Sequence, residues 1–256
     1  MGFSAEWLAL REPADLAARD GALLEAAAEE ARRASAGAPP VLVDLGCGTG
    51  STVRAFGGRL PGADWRLVDA DAGLLEEAVA RCGGTAYRAD LARLEALPLA
   101  GAHLVTASAL LDLMPVAWVE ALADLLAARG IGLYAALNYD GVMRWQPALP
   151  GDAEVTAAFN AHQRGDKGMG PALGPDAAQR MADALSAQGF DVRLAASPWR
   201  LGPAQAALHG ALCDGIAAAA EEAGCAGAPE WLAGRRTFET AEIGHLDLLA
   251  LPPKTD

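Results

Sequence analysis

The segment Val41-Leu42-Val43-Asp44-Leu45-Gly46-Cys47-Gly48-Thr49-Gly50 constrains this chain more than any other. A short β-branched apolar run ends in glycines at alternate positions. Glycine takes positive φ without steric penalty, so the strand can turn sharply and hand over to a helix. With no side chains in the way, a ligand can approach the amides of the turn and of the helix N-terminus. Such a strand-turn-helix unit belongs to sheets whose strands alternate with helices.

The rest of the chain keeps that rhythm. Residues 65–69, 85–90, 103–107 and 131–137 read as further strands, with helices at 51–60, 74–81 and 118–128 between them. Residues 175–188 read as a helix, and 190–196 and 243–251 as the last two strands. Near-continuous apolar strands separated by helices predict a parallel sheet covered on both faces. The fold class is α/β: a doubly wound, mostly parallel seven-stranded sheet of Rossmann-like type. Apolar residues at helical spacing over 5–34, ended by Gly37, Pro39 and Pro40, predict a helical N-terminal arm over 1–37 ahead of a domain at 38–256. Two stretches break the alternation. Residues 138–175, rich in glycine and proline, read as a lid. Residues 197–242 read as a second insertion, with helices at 203–224 and 230–236.

At 256 residues the chain suits one domain, and 52% hydrophobic with 21% charged residues excludes disorder for most of it. The net charge of -13, with no basic cluster larger than Arg32-Arg33 or Arg235-Arg236, argues against nucleic acid as a partner. The four cysteines, at 47, 82, 213 and 225, show neither zinc nor disulfide spacing, which points to a reducing cytoplasm. The first twenty residues lack the pattern of a secretion signal, and no apolar run is long enough to span a membrane. Abundant alanine and a strong excess of arginine over lysine read as the coding bias of a GC-rich, bacterial genome.

Three acids accompany the glycine loop. Asp44 sits two residues before its first glycine, which suits a cationic ligand better than a pyrophosphate. The dinucleotide pattern G-x-G-x-x-G/A fails as well, its last position being Ser51. Asp69 ends the second strand, where a carboxylate can accept both hydroxyls of an adenosine ribose. Asp90 ends the third, where it can accept from the adenine amine or cap the turn that follows. Cys47 reads as a small backbone contributor to the loop.

In these residues the chain resembles the class I S-adenosylmethionine (SAM) methyltransferases. Asp44 to Gly50 is similar to their first motif, Leu67-Val68-Asp69 to the second, Ala89-Asp90-Leu91 to the third, and Leu104 to Leu111 to the segment after strand four. The resemblance is strong over 38–137 and elsewhere rests on element order. It implies SAM as cofactor, with Asp44, Gly46, Cys47 and Gly48 at its methionine end, Asp69 on the ribose, Ala70 on one adenine face, and Asp90 with Leu91 at the adenine edge. Ser108 joins this set from the segment after strand four. His103 stands where the family often has an acid.

Ser108-Ala109-Leu110-Leu111 replaces the Asn/Asp-Pro-Pro-aromatic tetrad of many amino-methylating enzymes, which disfavours a nucleobase acceptor. No metal is assigned, although Asp112 and Asp140 stay open as ligands. A covered site at the carboxyl ends of the strands implies a small-molecule acceptor, methylated on O or N. Such transfer gains chiefly from alignment and needs a base only where the acceptor must lose a proton. His162, in the expected lid, is the candidate base, with an exposed or helix-capping role as its alternative; Tyr139 follows strand five as a substrate contact or a packing aromatic. Asn138, Lys167 and Arg200 are the candidate substrate contacts, and Arg164 is a further cation in reach of an anionic group. Trp145, Trp199, His209 and His245 read as structural. The alternatives are a SAM-binding domain without methyl transfer and another Rossmann-like transferase or oxidoreductase. The oligomeric state stays open.

Overall fold

The computed structural model describes residues 4–253; the ends of the expected ranges, 1–3 and 254–256, lie outside the described residues. The expected helical arm is two helices, α1 (Ala5–Ala18) and α2 (Gly21–Ala34). Arg19 leaves helical geometry at ψ 138°, and the side chain of Asp20 caps α2 by accepting from Leu23 N. An apolar spacing shared by both helices hides this break.

The chain continues through β1 (Val41–Leu45), α3 (Ser51–Phe56), β2 (Asp64–Asp69), α4 (Ala72–Cys82), β3 (Thr85–Arg88), β4 (Leu104–Ser108) and α5 (Val116–Arg129). There follow β5 (Gly132–Gln146), α6 (Asp152–Gln163), α7 (Ala177–Ala187), β6 (Asp191–Ala196), β7 (Trp199–Leu201), α8 (Ala206–Glu222), α9 (Ala228–Gly234) and β8 (Thr240–Leu251). The sheet order is β3-β2-β1-β4-β5-β8-β6. The first five are parallel, and β8 runs antiparallel to both its neighbours. This is the expected seven-stranded path. The short β7, in a stretch read as helical insertion, adds an eighth strand against β8.

The stretch at 138–175 departs from a loop-like lid. β5 runs on to Gln146, paired with β8 through register shifts between Ala135 and Asn138 and between Tyr139 and Met143. Leu137 takes φ 57° at the first shift, and Asn138 Nδ2 closes it by donating to Ala135 O and Leu246 O, both at 3.0 Å. The helix α6 fills 152–163, so irregular backbone is confined to 147–151 and 164–173.

Two cores sandwich the sheet, and a third lies beyond its end. The prolonged halves of β5 and β8, with β7, α6, α8 and α9, bury Trp145, Val155, Trp199, Leu208, Ile216 and Trp231 together. Trp7, Leu10 and Ala14 of α1 pack against that third core, whereas Leu23, Leu24, Ala27 and Ala31 of α2 pack on the sheet. Glu12 holds α1 to α3 and α4: Arg54 donates to it at 2.5 and 2.7 Å and Arg81 at 3.1 Å. The hydrogen bond from Arg54, more than any other influence, holds the Glu12 carboxyl below its ordinary range. Glu12→Gln is expected to lower stability by about 1 kcal/mol and to speed proteolysis within α1, as read by thermal melting and timed digestion. Unchanged digestion kinetics would show that these ion pairs do not hold the helix.

Candidate functional site

At the end of β1 the chain needs three left-handed residues in quick succession, Gly46, Gly48 and Gly50, at φ 62°, 52° and 83°. Side chains are also excluded by space. A Cβ on Gly46 would stand 3.2 Å from Leu110 Cδ1, and one on Gly48 3.0 Å from Leu8 Cδ1. Leu8 therefore places α1 directly over the loop. Asp69 fixes the loop from below: one carboxylate oxygen accepts from Gly48 N at 2.9 Å and the other from Asp71 N at 3.0 Å. A carboxylate has about four lone-pair directions, so this one keeps acceptor capacity for a ligand. Burial, its largest cause, raises the Cys47 thiol and keeps it protonated, which leaves it no role as a nucleophile.

Asp44, on β1, has no exposed surface. Thr106 Oγ1 donates to one of its oxygens at 2.7 Å; the other has no partner. Burial pushes its pKa up to about 7, against the lowering influence of the Thr106 hydrogen bond and of Arg19. Arg19 is the residue that sequence reasoning missed. Lying in the α1-α2 break, it is buried, donates through Nη2 to Ser108 Oγ at 2.9 Å, and leaves Nε and Nη1 unpartnered. Its only signal in the sequence was an arginine set among apolar helical positions.

Above these groups lies a cavity of about 520 Å³, within the range of small-ligand sites. Of the expected cofactor residues, Gly46, Cys47, Gly48, Asp69, Ala70, Asp90, Leu91 and Ser108 line it, and Asp44 lies beneath. Asp90 also accepts from Ala92 N at 2.9 Å, so it combines the turn-capping role with a place on the wall. Leu8, Arg11 and Asp15 of α1 form a roof that the sequence reading did not include. Asp112, in the turn Leu111–Leu113 after β4, is buried with one oxygen unpartnered, and burial pushes it up to about 6.

The catalytic and substrate candidates divide. Lys167 lines the cavity; His162, Tyr139, Asn138 and Arg200 do not. His162 lies 3.0 Å from Glu222 and 3.3 Å from Lys167 Nζ, so it meets the cavity only through Lys167. Tyr139 donates its hydroxyl to Asn160 at 2.8 Å and packs edge-on against Phe159. Burial raises its phenol, which suits packing rather than proton transfer. Asn138 closes the β5 bulge. Arg200, with its side chain 75% exposed, faces Glu242, and Arg164 pairs with Asp176. Trp145 and Trp199 are core residues, His209 stacks on Phe238, and burial pushes His245 down to about 3. Among the described residues no three His, Cys, Asp or Glu side chains converge as a metal site, and no helix is long and apolar enough to cross a membrane.

The sheet order, with its cavity over the carboxyl ends of β1 to β4, is a Rossmann-like fold. The chain is similar to a solved structure described as a type II methyltransferase from Anaeromyxobacter dehalogenans, at 16% identity over 90% of this chain and 95% of that one, with a TM-score of 0.50. It is similar to human N-acetylserotonin methyltransferase, solved with SAM, at 15% identity over 72% of this chain and 48% of that one, with a TM-score of 0.43. It is also similar to the plantazolicin methyltransferase BamL, solved with SAH and a triazolic desmethylPZN analogue, at 11% identity, 91% and 85% coverage and a TM-score of 0.45. The chain spans about half the length of the human enzyme and of an O-methyltransferase family protein from Burkholderia thailandensis. No protein-family model and no curated protein matches the sequence.

Proposed function

We propose that this chain is a SAM-dependent methyltransferase acting on an O or N atom of a small molecule. One observation carries the reading: the glycine loop, Asp69 and Asp90 line one wall of a single cavity, over the buried Asp44, one of whose carboxyl oxygens lacks a partner among the described residues. SAM fits these residues. Its ribose hydroxyls suit Asp69, its adenine the wall at Ala70, Asp90 and Leu91, and its cationic methionine end the loop above Asp44. Bound there, the cofactor supplies an electrophilic methyl group.

The protein's own contribution is alignment and exclusion of water under the roof of α1. No histidine lines the cavity, so the reading relies on an acceptor that presents an unprotonated nucleophile or loses its proton easily. A buried acid beneath the loop is a poor seat for a pyrophosphate, which disfavours the nicotinamide alternative. A small-molecule acceptor is favoured over nucleic acid because each basic pair is neutralised: Arg32 and Arg33 meet Glu25 and Glu30, and Arg235 and Arg236 meet Asp152 and Asp214. Calorimetric titration with SAM, S-adenosylhomocysteine (SAH) and NAD tests the cofactor, and SAH release over a metabolite library tests turnover. Binding of NAD but not SAM would overturn the reading.

Asp44 gives this proposal a pH signature. Its folded pKa stands above the ordinary carboxylate value, so the ligand-free protein binds an extra proton between the two values and loses stability as pH rises through about 7. The slope is up to roughly 1.4 kcal/mol per pH unit, with Asp112 pulling the same way. A cationic ligand favours ionised Asp44, so SAM affinity is expected to rise with pH and level off above about 7. Titrations across this range check it, with Asp44→Asn as reference; a flat profile in the parent protein would remove Asp44 from the methionine end.

A further inference from the structure

The sheet order gives the cavity two unlike halves. β2 and β3, on one side of β1, bring Asp69, Asp71 and Asp90. β4, on the other side, leads into Leu110, Leu113 and Met114. The 164–173 loop is fastened over this apolar half: Leu173 N donates to Met114 O at 2.9 Å. The loop is itself ordered, with Asp166 paired to Pro171 and accepting from Gly168 N at 2.7 Å and Gly170 N at 2.9 Å. From it Lys167 and Met169 reach the cavity.

Two cations line the cavity, and they differ in one respect. Arg11 is neutralised by Asp15 through two hydrogen bonds, at 2.9 and 3.1 Å. Lys167 Nζ has no carboxylate within hydrogen-bonding reach among the described residues; its neighbours are His162 Nδ1 at 3.3 Å and Gln163 Oε1 at 3.4 Å. Partial burial disfavours its charge, with Glu222 and Asp112 compensating from further away. A half-buried ammonium at the apolar half of the cavity, with its carboxylates beyond hydrogen-bonding reach, is further stabilised by an anion brought by the ligand. A single point charge, without the fork of an arginine, suits a monoanion, and the carboxylates of the other half oppose a phosphate dianion.

We propose that the acceptor is a small, largely apolar molecule anchored by a carboxylate that pairs with Lys167, its body lying along Leu110, Leu113, Met114 and Met169; a separate O or N on that body forms the bond to the methyl carbon as the methyl–sulfur bond breaks and SAH leaves. The proposal rests on the methyltransferase reading for the word acceptor, but the anion site stands on its own residues. Specificity then comes from Lys167, a charge-assisted contact that an uncharged analogue cannot make.

The test is titration of the full chain with phenylacetate, indole-3-acetate and octanoate and with their primary amides, each with and without saturating SAH. At least one acid is expected to bind, its amide about tenfold more weakly. Lys167→Met should erase the difference and Lys167→Arg restore most of it. Failure of all three acids to bind, equal binding of acid and amide, or a preference that survives Lys167→Met would overturn the proposal. Titration with SAH alone reads the other assignment separately. Acid preference without SAH binding would leave the anion site and remove the methyltransferase reading; SAH binding without acid preference would do the reverse.

Discussion

Gly48→Val is expected to abolish measurable SAM binding, a loss of at least about a hundredfold, or roughly 3 kcal/mol. The position holds φ 52°, which a β-branched residue adopts only under strain. The added Cβ would also stand 3.0 Å from Leu8 Cδ1, so the side chain must displace α1 or fill the ligand's space. Strain of this kind is worth about 1–3 kcal/mol, so the variant should fold with a lowered melting temperature. Calorimetry with SAM decides the matter. A binding curve that overlays the parent's would mean that the loop does not cradle the cofactor.

Asp69→Ala is expected to weaken SAM binding by about a hundredfold through two separate losses. The ribose loses its acceptor, and the loop loses the carboxylate that holds Gly48 N and Asp71 N. Hydrogen bonds to a charged group contribute roughly 1.5–3 kcal/mol each, and the partial exposure of Asp69 reduces the sum of its two, so stability should fall as well, by about 2–4 kcal/mol. Asp69→Asn separates the two effects, since the amide retains an acceptor for one backbone N–H but presents a donor to the other. SAM affinity within twofold of the parent in the alanine variant would place the ribose elsewhere.

What could be read from the sequence was local. The strand, the three glycines and Asp69 are fixed by short-range geometry, and the structure sets Gly46, Gly48 and Asp69 on one wall of the cavity. The fate of 138–146 was not local. Asn138, Tyr139 and Asp140 look like a loop because their polarity breaks the apolar run of β5. They belong to a strand because β8, more than a hundred residues later, offers a partner and a bulge that turns Asn138 back onto the backbone. Once β5 continues, closeness in sequence to the catalytic end of the sheet no longer places a side chain there, and for this reason Tyr139 packs away from the cavity. His162 fell to the same assumption, since α6 serves the third core. Arg19 and the roof residues Arg11 and Asp15 were hidden for another reason. Their helices have ordinary apolar spacing, and nothing in one chain's pattern tells which polar residue at a helix boundary will be drawn inward by a carboxyl on a distant strand.

β5 and β8 both run from the main sheet into the third core, paired on either side of the two register shifts. They act as a beam shared by both cores, and that beam has two joints, where the ladder is interrupted over 136–137 and 140–142. A clamshell motion, in which the outer core swings away to admit ligands, would have to turn on those two joints at once. The parts that cover the cavity without crossing the beam are α1 and the 164–173 loop, so one helix and one short turn can part from the cavity while every strand pairing stays in place.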